Sequence, residues 1–530
     1  MQAFFTLRRL AAAVFAAALL GGAPLLAFAA KSGPLPPATD ITVQPEYEQS
    51  VIAPETERVA LAIRFKAPPL TEQAPLALAL VIDRSGSMDG DKLNYAGSAA
   101  AGLVEQLDEK DTAALVTYDS MVDELFPAAA MTEDNRGQIL DLISSSSLTA
   151  GGSTFLSGGL EVGFWQMEQA DSPGQKRVIL LSDGMANVGV TDPSSLADMA
   201  AQFRQKGVTL TTIGMGSDYD EELMQLLAQK GGGNYYYIRR PQDAERYFDR
   251  ELKDAMAGVS KDITLVLNLN DNVLEARVYG YTLERRGNEY MVDISDFYGD
   301  EERTMVIEMT VKPSPKDRDR LLELGVLNLR YNSLDETGGR QDVTVPLWVE
   351  VSPNRGRQRA SINVDIQALV LAARVDANYV KALDEARAGN YEQAEAIVAD
   401  NRALLAHSSL TRDSELLRAR QEAMELESRR LADLDGASDS ARDDYIKLAR
   451  VRMYQMGQGR NNALQMKEGS QGLEVEFLQE ALNQAGVYDG PVDGMFSPEV
   501  GAAVRRFQSA KGLRADGVAG PQTQEKLGLY

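Results

Sequence analysis

The chain has 530 residues with 54 Lys and Arg, 78 Asp and Glu, one His and no Cys, for a formal net charge of −24. Without cysteine and with one histidine, it cannot assemble a cysteine nucleophile or a zinc site built on two histidines. Its negative charge also repels nucleic acid and anionic membranes. A hydrophobic content of 44% over this length supports several cores, so we expect three or four domains.

Residues 1–29 have the pattern of a signal peptide. The basic pair Arg8-Arg9 precedes an apolar run over residues 10–20, and Ala27-Phe28-Ala29 supplies small residues where a signal peptidase cleaves. The apolar run is too short to span a bilayer comfortably. We therefore expect export to the periplasm or cell wall, with no membrane span after cleavage. An uncleaved membrane anchor is the alternative.

Residues 30–73 predict a lead-in followed by two extended segments, and residues 74–256 then alternate between strand-like and helix-like stretches. Leu76–Ile82 is continuously apolar, as expected for a strand buried on both faces. This alternation predicts a doubly wound α/β domain with a parallel sheet and helices on both faces. Ligands of such folds bind at the carboxyl ends of the strands.

From residue 257 to 352 the apolar period changes to two. Met305, Ile307 and Met309, for example, alternate with Val306, Glu308 and Thr310. Several such segments separated by turns predict an antiparallel β-sandwich. The extended segments within 41–66 have no partners in their own neighbourhood. We therefore expect them to complete the sandwich, with the α/β domain inserted in it.

The remaining stretches up to the C-terminal module are a linker (353–362), a helical region (363–456) and a second linker (457–470). Within the helical region, residues 386–394 resemble the helix-turn-helix junction of a tetratricopeptide repeat. One unit is a weak signal because such repeats bury their apolar faces by stacking. A helical spacer or small bundle is the alternative. The single histidine, His407, is expected to be solvated or to pack against a helix.

Oxygen-bearing side chains follow the predicted strand ends. Asp83-Arg-Ser85-Gly-Ser87 comes directly after the buried strand, Thr154 ends a Gly-Gly-Ser-Thr sequence before a helix, and Asp183 follows another strand within Ser-Asp-Gly. Alternate residues can turn their oxygens toward one point above the sheet edge. Hard cations such as Mg²⁺ and Ca²⁺ prefer oxygen ligands.

These motifs resemble the metal-ion-dependent adhesion site of the von Willebrand factor type A family, over about residues 74–256. The resemblance implies that Ser85, Ser87 and Thr154 coordinate Mg²⁺ (or Ca²⁺ or Mn²⁺). Asp83 and Asp183 would act through water or by hydrogen-bonding the hydroxyls. It further implies a protein partner that presents a carboxylate to the metal.

Two alternatives to a metal-dependent binding site remain: a vacant site and a hydrolytic one. A family member with a vacant or vestigial site is one. The motif itself contains no candidate general base, which favours binding over hydrolysis. Two other acids, Asp119 and Asp218, could approach in space, although we expect both to be loop acids.

Residues 471–530 contain an internal repeat. Asp493-Gly494 and Asp516-Gly517 each form a turn signal before a helix that has proline in its first turn. The segment resembles a three-helix peptidoglycan-binding domain. We expect Phe507, Leu513 and Leu527 to lie in its core and the binding surface to lie near the Asp-Gly turns. A fold retained for a different ligand is the alternative.

The sequence thus predicts a multidomain chain: a signal peptide, a type A domain inserted in a β-sandwich, a helical region and a peptidoglycan-binding domain. The predicted function is that of an exported, non-catalytic adhesion or adaptor protein. One alternative is a cell-wall remodelling enzyme, or an accessory factor of one. Another is a structural scaffold that does not depend on a metal.

Overall fold

A computed structural model describes residues 40–71, 73–144, 148–172, 174–216, 219–334, 339–434, 436–459 and 464–529. The predicted signal peptide (1–29) and most of the lead-in lie outside the described residues. The strands are β1 (Thr42–Tyr47), β2 (Val51–Ile52), β3 (Arg58–Lys66), β4 (Leu76–Asp83), β5 (Thr112–Tyr118), β6 (Val122–Ala130), β7 (Gln175–Ser182), β8 (Val208–Met215), β9 (Gly232–Ile238), β10 (Gly258–Leu269), β11 (Val273–Val278), β12 (Glu284–Arg286), β13 (Glu289–Ile294), β14 (Phe297–Tyr298), β15 (Glu302–Val311), β16 (Arg320–Ser333) and β17 (Gly339–Val351).

The helices alternate with strands in the first half of the chain and dominate the second half. They are α1 (Asp91–Glu105), α2 (Glu133–Ser144), α3 (Leu156–Gln169), α4 (Pro193–Gln205), α5 (Glu221–Gly231), α6 (Ala244–Met256), α7 (Arg355–Ala360), α8 (Val364–Arg387), α9 (Tyr391–His407), α10 (Glu415–Leu434), α11 (Asp439–Gly457), α12 (Leu473–Gln484), α13 (Pro498–Ala510) and α14 (Pro521–Lys526). Within the described residues, no helix is both long and apolar enough to cross a membrane.

The α/β domain is a sheet in the order β6-β5-β4-β7-β8-β9. Side chains of β4 alternate between two cores: Leu78 and Leu80 pack into one, and Ala79 and Val81 into the other. This explains the continuously apolar strand, and it confirms the doubly wound fold. The sheet is not wholly parallel, because edge strand β6 pairs antiparallel with β5. Only residues 119–121 connect the two strands, whereas a parallel crossover needs about a dozen residues.

Strands that precede and follow the inserted domain in the sequence form the sandwich. One sheet has the order β1-β3-β15-β11, the other the order β12-β13-β10-β16-β17-β2, and their inner faces share one hydrophobic core. Strand β3 pairs with β15 along its whole length, from Arg58 opposite Thr310 to Lys66 opposite Glu302. The prediction that residues 41–66 complete the sandwich is therefore confirmed.

Two chain crossings connect the sandwich to the inserted domain, and they lie close together. The chain enters at Leu76, which pairs with Gln175 at the start of β7. It leaves after α6 at Gly258, which lies against the Gln175 side chain: a Cβ atom added to Gly258 would lie 1.7 Å from Gln175 Nε2. Both crossings therefore lie at the amino end of the central strands, opposite the edge that carries the predicted metal site.

A buried cluster of charged groups joins the inserted domain to the sandwich. Arg177 on β7 is 1% exposed and forms ion pairs with Glu251 on α6 and with Asp296 of the sandwich, the latter at 2.9 Å. Thr209 Oγ1 also donates to Asp296, at 3.2 Å. Burial raises the pKa of Asp296, and the neighbouring Arg177 charge opposes that rise. The ionised form of Asp296 therefore depends on the guanidinium.

The helical region is one bundle. Helices α8 to α11 share a single hydrophobic core, and Ile366 and Val370 of α8 also pack against sandwich residues such as Ala62. His407 is exposed, with its Nδ1 atom 2.6 Å from the Ala403 carbonyl oxygen of the same helix. The structure thus places this histidine on the bundle surface.

The two segments that the sequence predicts as linkers are partly packed. Residues 353–362 contain helix α7, whose first amides at 356 and 357 donate to the Asn354 side chain. Ser361 then accepts a hydrogen bond from Val51 of β2. In the second segment, 457–470, Met466 is buried in the core of the C-terminal module. Capping at Asn354 and burial of Met466 thus give the described residues of both segments packing contacts that the polar, glycine-containing composition did not indicate.

The C-terminal module contacts the inserted α/β domain as well as the bundle. Glu480 of α12 forms an ion pair with Arg246 of α6, and the Arg246 guanidinium lies 5.6 Å from the centre of the Phe477 ring. On the bundle side, Lys467 lies 3.4 Å from Glu415 of α10. The module is therefore placed by contacts with two other domains.

Replacing Arg177 with methionine should strongly destabilise the chain. The substitution leaves Glu251 and Asp296 buried without their cation, and removing one partner of a buried ion pair costs about 3–5 kcal/mol. Equilibrium urea unfolding, followed by circular dichroism, measures the loss. The control is Arg330→Met, because Arg330 pairs with Asp342 at an exposed position and should contribute less than about 1 kcal/mol. Equal effects of the two substitutions would contradict the prediction.

Candidate metal site and wall-binding module

Three hydroxyl groups converge at the carboxyl edge of the inserted sheet. A Cβ atom added to Gly184 would lie 3.1 Å from Thr154 Oγ1, 3.5 Å from Ser87 Oγ and 3.9 Å from Ser85 Oγ. The two serine oxygens are 3.2 Å apart. Two separate loops, one with Ser85 and Ser87 and the other with Thr154, therefore bring their hydroxyls close to Gly184.

Asp83, the last residue of β4, is wholly buried beneath these hydroxyls. Its Oδ1 accepts a hydrogen bond from the Ser85 amide at 2.8 Å, and its Oδ2 accepts one from Ser182 Oγ at 2.6 Å. Burial raises the pKa of Asp83 to about 6; the two hydrogen bonds lower it, and the charge of Asp183 raises it further. Asp83 thus fixes the turn that carries the serines and links it to the end of β7.

Asp183 is also wholly buried, and both of its carboxylate oxygens have partners. Oδ1 accepts a hydrogen bond from Ser87 Oγ at 2.7 Å, and Oδ2 forms an ion pair with Lys92 Nζ. Lys92 Nζ also donates to the Ser87 carbonyl at 3.2 Å. Sequence reasoning identified neither Lys92 nor Ser182 as part of the site. For Ser182 the available signal was its position directly before Asp183, whereas Lys92 lies five residues after Ser87 and had no such signal.

The five residues predicted from the sequence are therefore together at one sheet edge. Two buried carboxylates beside three hydroxyls form an all-oxygen donor set, which is the kind that hard divalent cations prefer. The residues present fit the cation that the type A resemblance implies.

Asp119, one of the two acids considered as an additional site group, is held by other contacts. Its carboxylate lies 3.1 Å from the Arg84 guanidinium and accepts a hydrogen bond from the Met121 amide at 2.9 Å. Its carbonyl accepts one from the Phe155 amide, next to the ligand loop. Asp119 therefore supports the loop, as expected for a loop acid. Asp218 lies outside the described residues.

The C-terminal repeat has a structural basis in buried glutamine side chains. Gln479 Oε1 accepts hydrogen bonds from the amides of Asp493 and Gly494, at 3.0 and 2.9 Å, and its Nε2 donates to Asp493 Oδ1 at 2.7 Å. The hydrogen bond from Gln479 holds the pKa of Asp493 below its usual value. The first Asp-Gly turn is thereby fixed to helix α12.

The second copy repeats this arrangement. Gln508 Oε1 accepts a hydrogen bond from the Gly517 amide at 2.9 Å, and its Nε2 donates to Asp516 Oδ1 at 3.0 Å. Gly494 and Gly517 have φ values of 70° and 80°, a backbone conformation that favours glycine. The aspartates and glycines of both turns thus have defined roles in folding. Their contact with peptidoglycan stays a prediction.

Comparison with known proteins agrees with this architecture. Residues 77–250 match the family model of the von Willebrand factor type A domain. Residues 471–527 match the family described as "Putative peptidoglycan binding domain". The chain is thus a multidomain protein that contains a von Willebrand factor type A domain and, at its C-terminal end, a domain of the peptidoglycan-binding family.

Two curated relatives extend beyond the type A domain alone. The chain is 33% identical to Uncharacterized protein YfbK of Escherichia coli (strain K12) over 260 residues, which cover 47% of this chain and 44% of YfbK. The chain therefore spans less than half the length of that relative. It is 25% identical to Uncharacterized protein sll0103 of Synechocystis sp. over 339 residues, covering 60% of this chain and 76% of that protein.

A solved structure shares the fold over most of the chain. The von Willebrand factor type A protein from Catenulispora acidiphila superposes with a TM-score of 0.57, covering 74% of this chain and 91% of that one, at 17% identity. This coverage is far longer than the type A domain. The combination of type A domain and additional sheets is thus a known fold.

Replacing Gln479 with methionine should loosen the first Asp-Gly turn. The buried Gly494 amide then loses its acceptor, and an unsatisfied buried donor costs about 1–3 kcal/mol. Hydrogen–deuterium exchange of the full chain should show faster exchange of peptides that cover residues 493–495. Gln484→Met, on an exposed position of the same helix, is the control and should leave exchange unchanged. Unchanged exchange in both variants would show that the turn does not depend on Gln479.

Proposed function

We propose that this protein is an exported, non-catalytic adaptor, which binds a protein partner through a divalent metal and peptidoglycan through its C-terminal domain. The observation that carries the proposal is the convergence of Ser85, Ser87 and Thr154 around one open point, next to the buried Asp83 and Asp183. Three hydroxyl ligands from two loops are a poor arrangement for a structural core and a good one for holding an ion at a surface edge.

The donor set suggests how the partner is bound. The hydroxyls of Ser85, Ser87 and Thr154 are neutral, so a bound Mg²⁺, Ca²⁺ or Mn²⁺ keeps much of its positive charge. Ser87 is exposed, and the ion would therefore lie within reach of a second protein. When bound, the metal supplies an electrophilic centre that accepts an oxygen ligand. A carboxylate side chain of a partner is the ligand that best matches this charge.

The second half of the proposal concerns location. A domain of the peptidoglycan-binding family is useful where peptidoglycan is accessible, and the predicted signal peptide provides the route of export. We place the peptidoglycan-binding surface near the Asp493-Gly494 and Asp516-Gly517 turns. One domain would then hold the wall while the metal edge of another captures the partner.

Metal-dependent capture can be tested with a single hydroxyl substitution. We expect the wild-type protein to retain a partner from a detergent-solubilised envelope extract in Mg²⁺ and to release it in chelator. Ser85→Ala should abolish retention in Mg²⁺, because it removes one of three ligands while leaving buried Asp83 in place. Quantitative mass spectrometry of the captured proteins measures the difference.

The matched control is Ser153→Ala, which removes a hydroxyl next to Thr154 that is not one of the three converging groups. This variant should retain the partner as the wild type does. If the same proteins bind to all three forms with and without chelator, the metal site has no part in capture. The remaining surfaces would then have to account for binding.

Peptidoglycan binding is tested by co-sedimentation of the full mature chain with insoluble purified peptidoglycan. We expect most of the protein to sediment with peptidoglycan but not with chitin, which has the amino sugar without the stem peptides. The wild type and Ser85→Ala should sediment equally, because the metal edge and the wall module are separate sites. Release of soluble wall fragments during incubation would instead support the alternative of a wall-remodelling enzyme.

A further inference from the structure

Lys92 places a fixed positive charge inside the candidate metal site. Its ammonium group is paired with Asp183 Oδ2 and donates to the Ser87 carbonyl at 3.2 Å, so it contacts two of the residues predicted to bind the ion. Asp183 is completely buried, whereas the Lys92 side chain is 23% exposed. The interaction is therefore shielded from solvent much more than a surface ion pair is.

The fold provides a defined path for this side chain. Lys92 lies in the first turn of α1, directly after the loop that carries the two serines. Its aliphatic part passes over Gly216 at the end of β8, where an added Cβ atom would lie 3.0 Å from Lys92 Cε and 3.2 Å from its Nζ. A side chain at position 216 would crowd the end of the lysine, and the φ of 77° at this position also favours glycine. Gly216 thus leaves room for Lys92 beside Asp183.

The charges at the site show what this lysine does. Asp83 and Asp183, when ionised, contribute −2, and Lys92 reduces the sum to −1. A bound divalent ion then gives a sum of +1, whereas the same site without Lys92 would be neutral. Two cations that share the same carboxylate repel appreciably even at the effective dielectric of a protein surface. Lys92 therefore weakens metal binding and leaves the loaded site positive.

We infer that Lys92 is the residue that sets the charge of the site. Without metal it neutralises Asp183, so that two buried carboxylates can coexist. With metal bound, it supplies the excess positive charge that attracts an acidic partner to a chain with an overall charge of −24. The inference rests on the proposed metal-binding function. It adds that Lys92 determines how tightly the site binds the metal and the acidic ligand.

The test compares Lys92→Met with the wild type by isothermal titration of MgCl₂ into chelator-treated full mature protein. We expect the variant to bind Mg²⁺ at least about tenfold more tightly, because a competing cation has been removed. Lys312→Met, at an exposed position of the sandwich, has the same change of net charge and should bind as the wild type does. If the wild type binds Mg²⁺ and Lys92→Met binds it equally or more weakly, the inference about Lys92 is overturned while the proposed metal function stands. If neither protein binds Mg²⁺, the proposed metal function also fails.

A second measurement concerns the metal-free state. In chelator, Lys92→Met should unfold at a lower temperature than the wild type, because Asp183 has lost its counter-charge. Adding Asp183→Asn to that variant removes the unpaired charge. The unfolding midpoint temperature should then recover most of its decrease. Equal midpoints of the wild type and Lys92→Met in chelator would show that Lys92 does not balance Asp183.

Discussion

The carboxylate of Asp83 has no access to solvent, and the carboxyl edge of the type A domain is organised around it. A buried acid is costly unless its oxygens are hydrogen-bonded. The Ser85 amide and the Ser182 hydroxyl satisfy this need, at 2.8 and 2.6 Å. The first contact bends the chain directly after β4, and the second ties that bend to the end of β7. The serine hydroxyls are thereby directed toward Thr154 and away from the sheet.

The sequence was informative about this site because its residues follow strand ends. In a sheet of parallel strands, polar residues directly after buried strands meet at one edge, so Asp83 and Asp183 could be placed together without coordinates. Lys92 could not be placed in the same way. Its role depends on the direction of a long side chain and on the space left by Gly216, more than one hundred positions along the chain. The sequence pattern indicates neither the direction of the lysine side chain nor the space beside it.

The same distinction holds for the fold. Alternation with period two, and the lack of local partners for residues 41–66, predicted the sandwich and its insertion. The antiparallel pairing of edge strand β6 with β5 was not predicted. The residues of β6 have a mixed pattern of exposure, and only three residues connect the two strands. Strand β9 was missed because it begins Gly-Gly, which resembles a turn. Arg177 was also missed, because its two acidic partners come from distant parts of the chain.

The peptidoglycan-binding module shows that a repeated motif can have a role in folding that the sequence does not reveal. The Asp-Gly pairs stand out in the sequence because they occur twice, and repetition suggests a shared ligand. In the structure each pair is hydrogen-bonded to a buried glutamine, Gln479 or Gln508. Two similar turns therefore have the same structural requirement, whether or not they also contact a ligand. Spacing alone does not distinguish a turn that is repeated for folding from one that is repeated for binding.

The two neighbouring crossings into the inserted domain have a mechanical consequence. A domain attached by one connector can swivel about it, whereas two strands side by side resist twisting and allow mainly a tilt. Both crossings lie beside Gln175, and the candidate metal site lies at the far end of the same strands, about 23 Å away for seven residues of β-strand. The edge that would meet a partner therefore keeps a nearly fixed orientation relative to the sandwich.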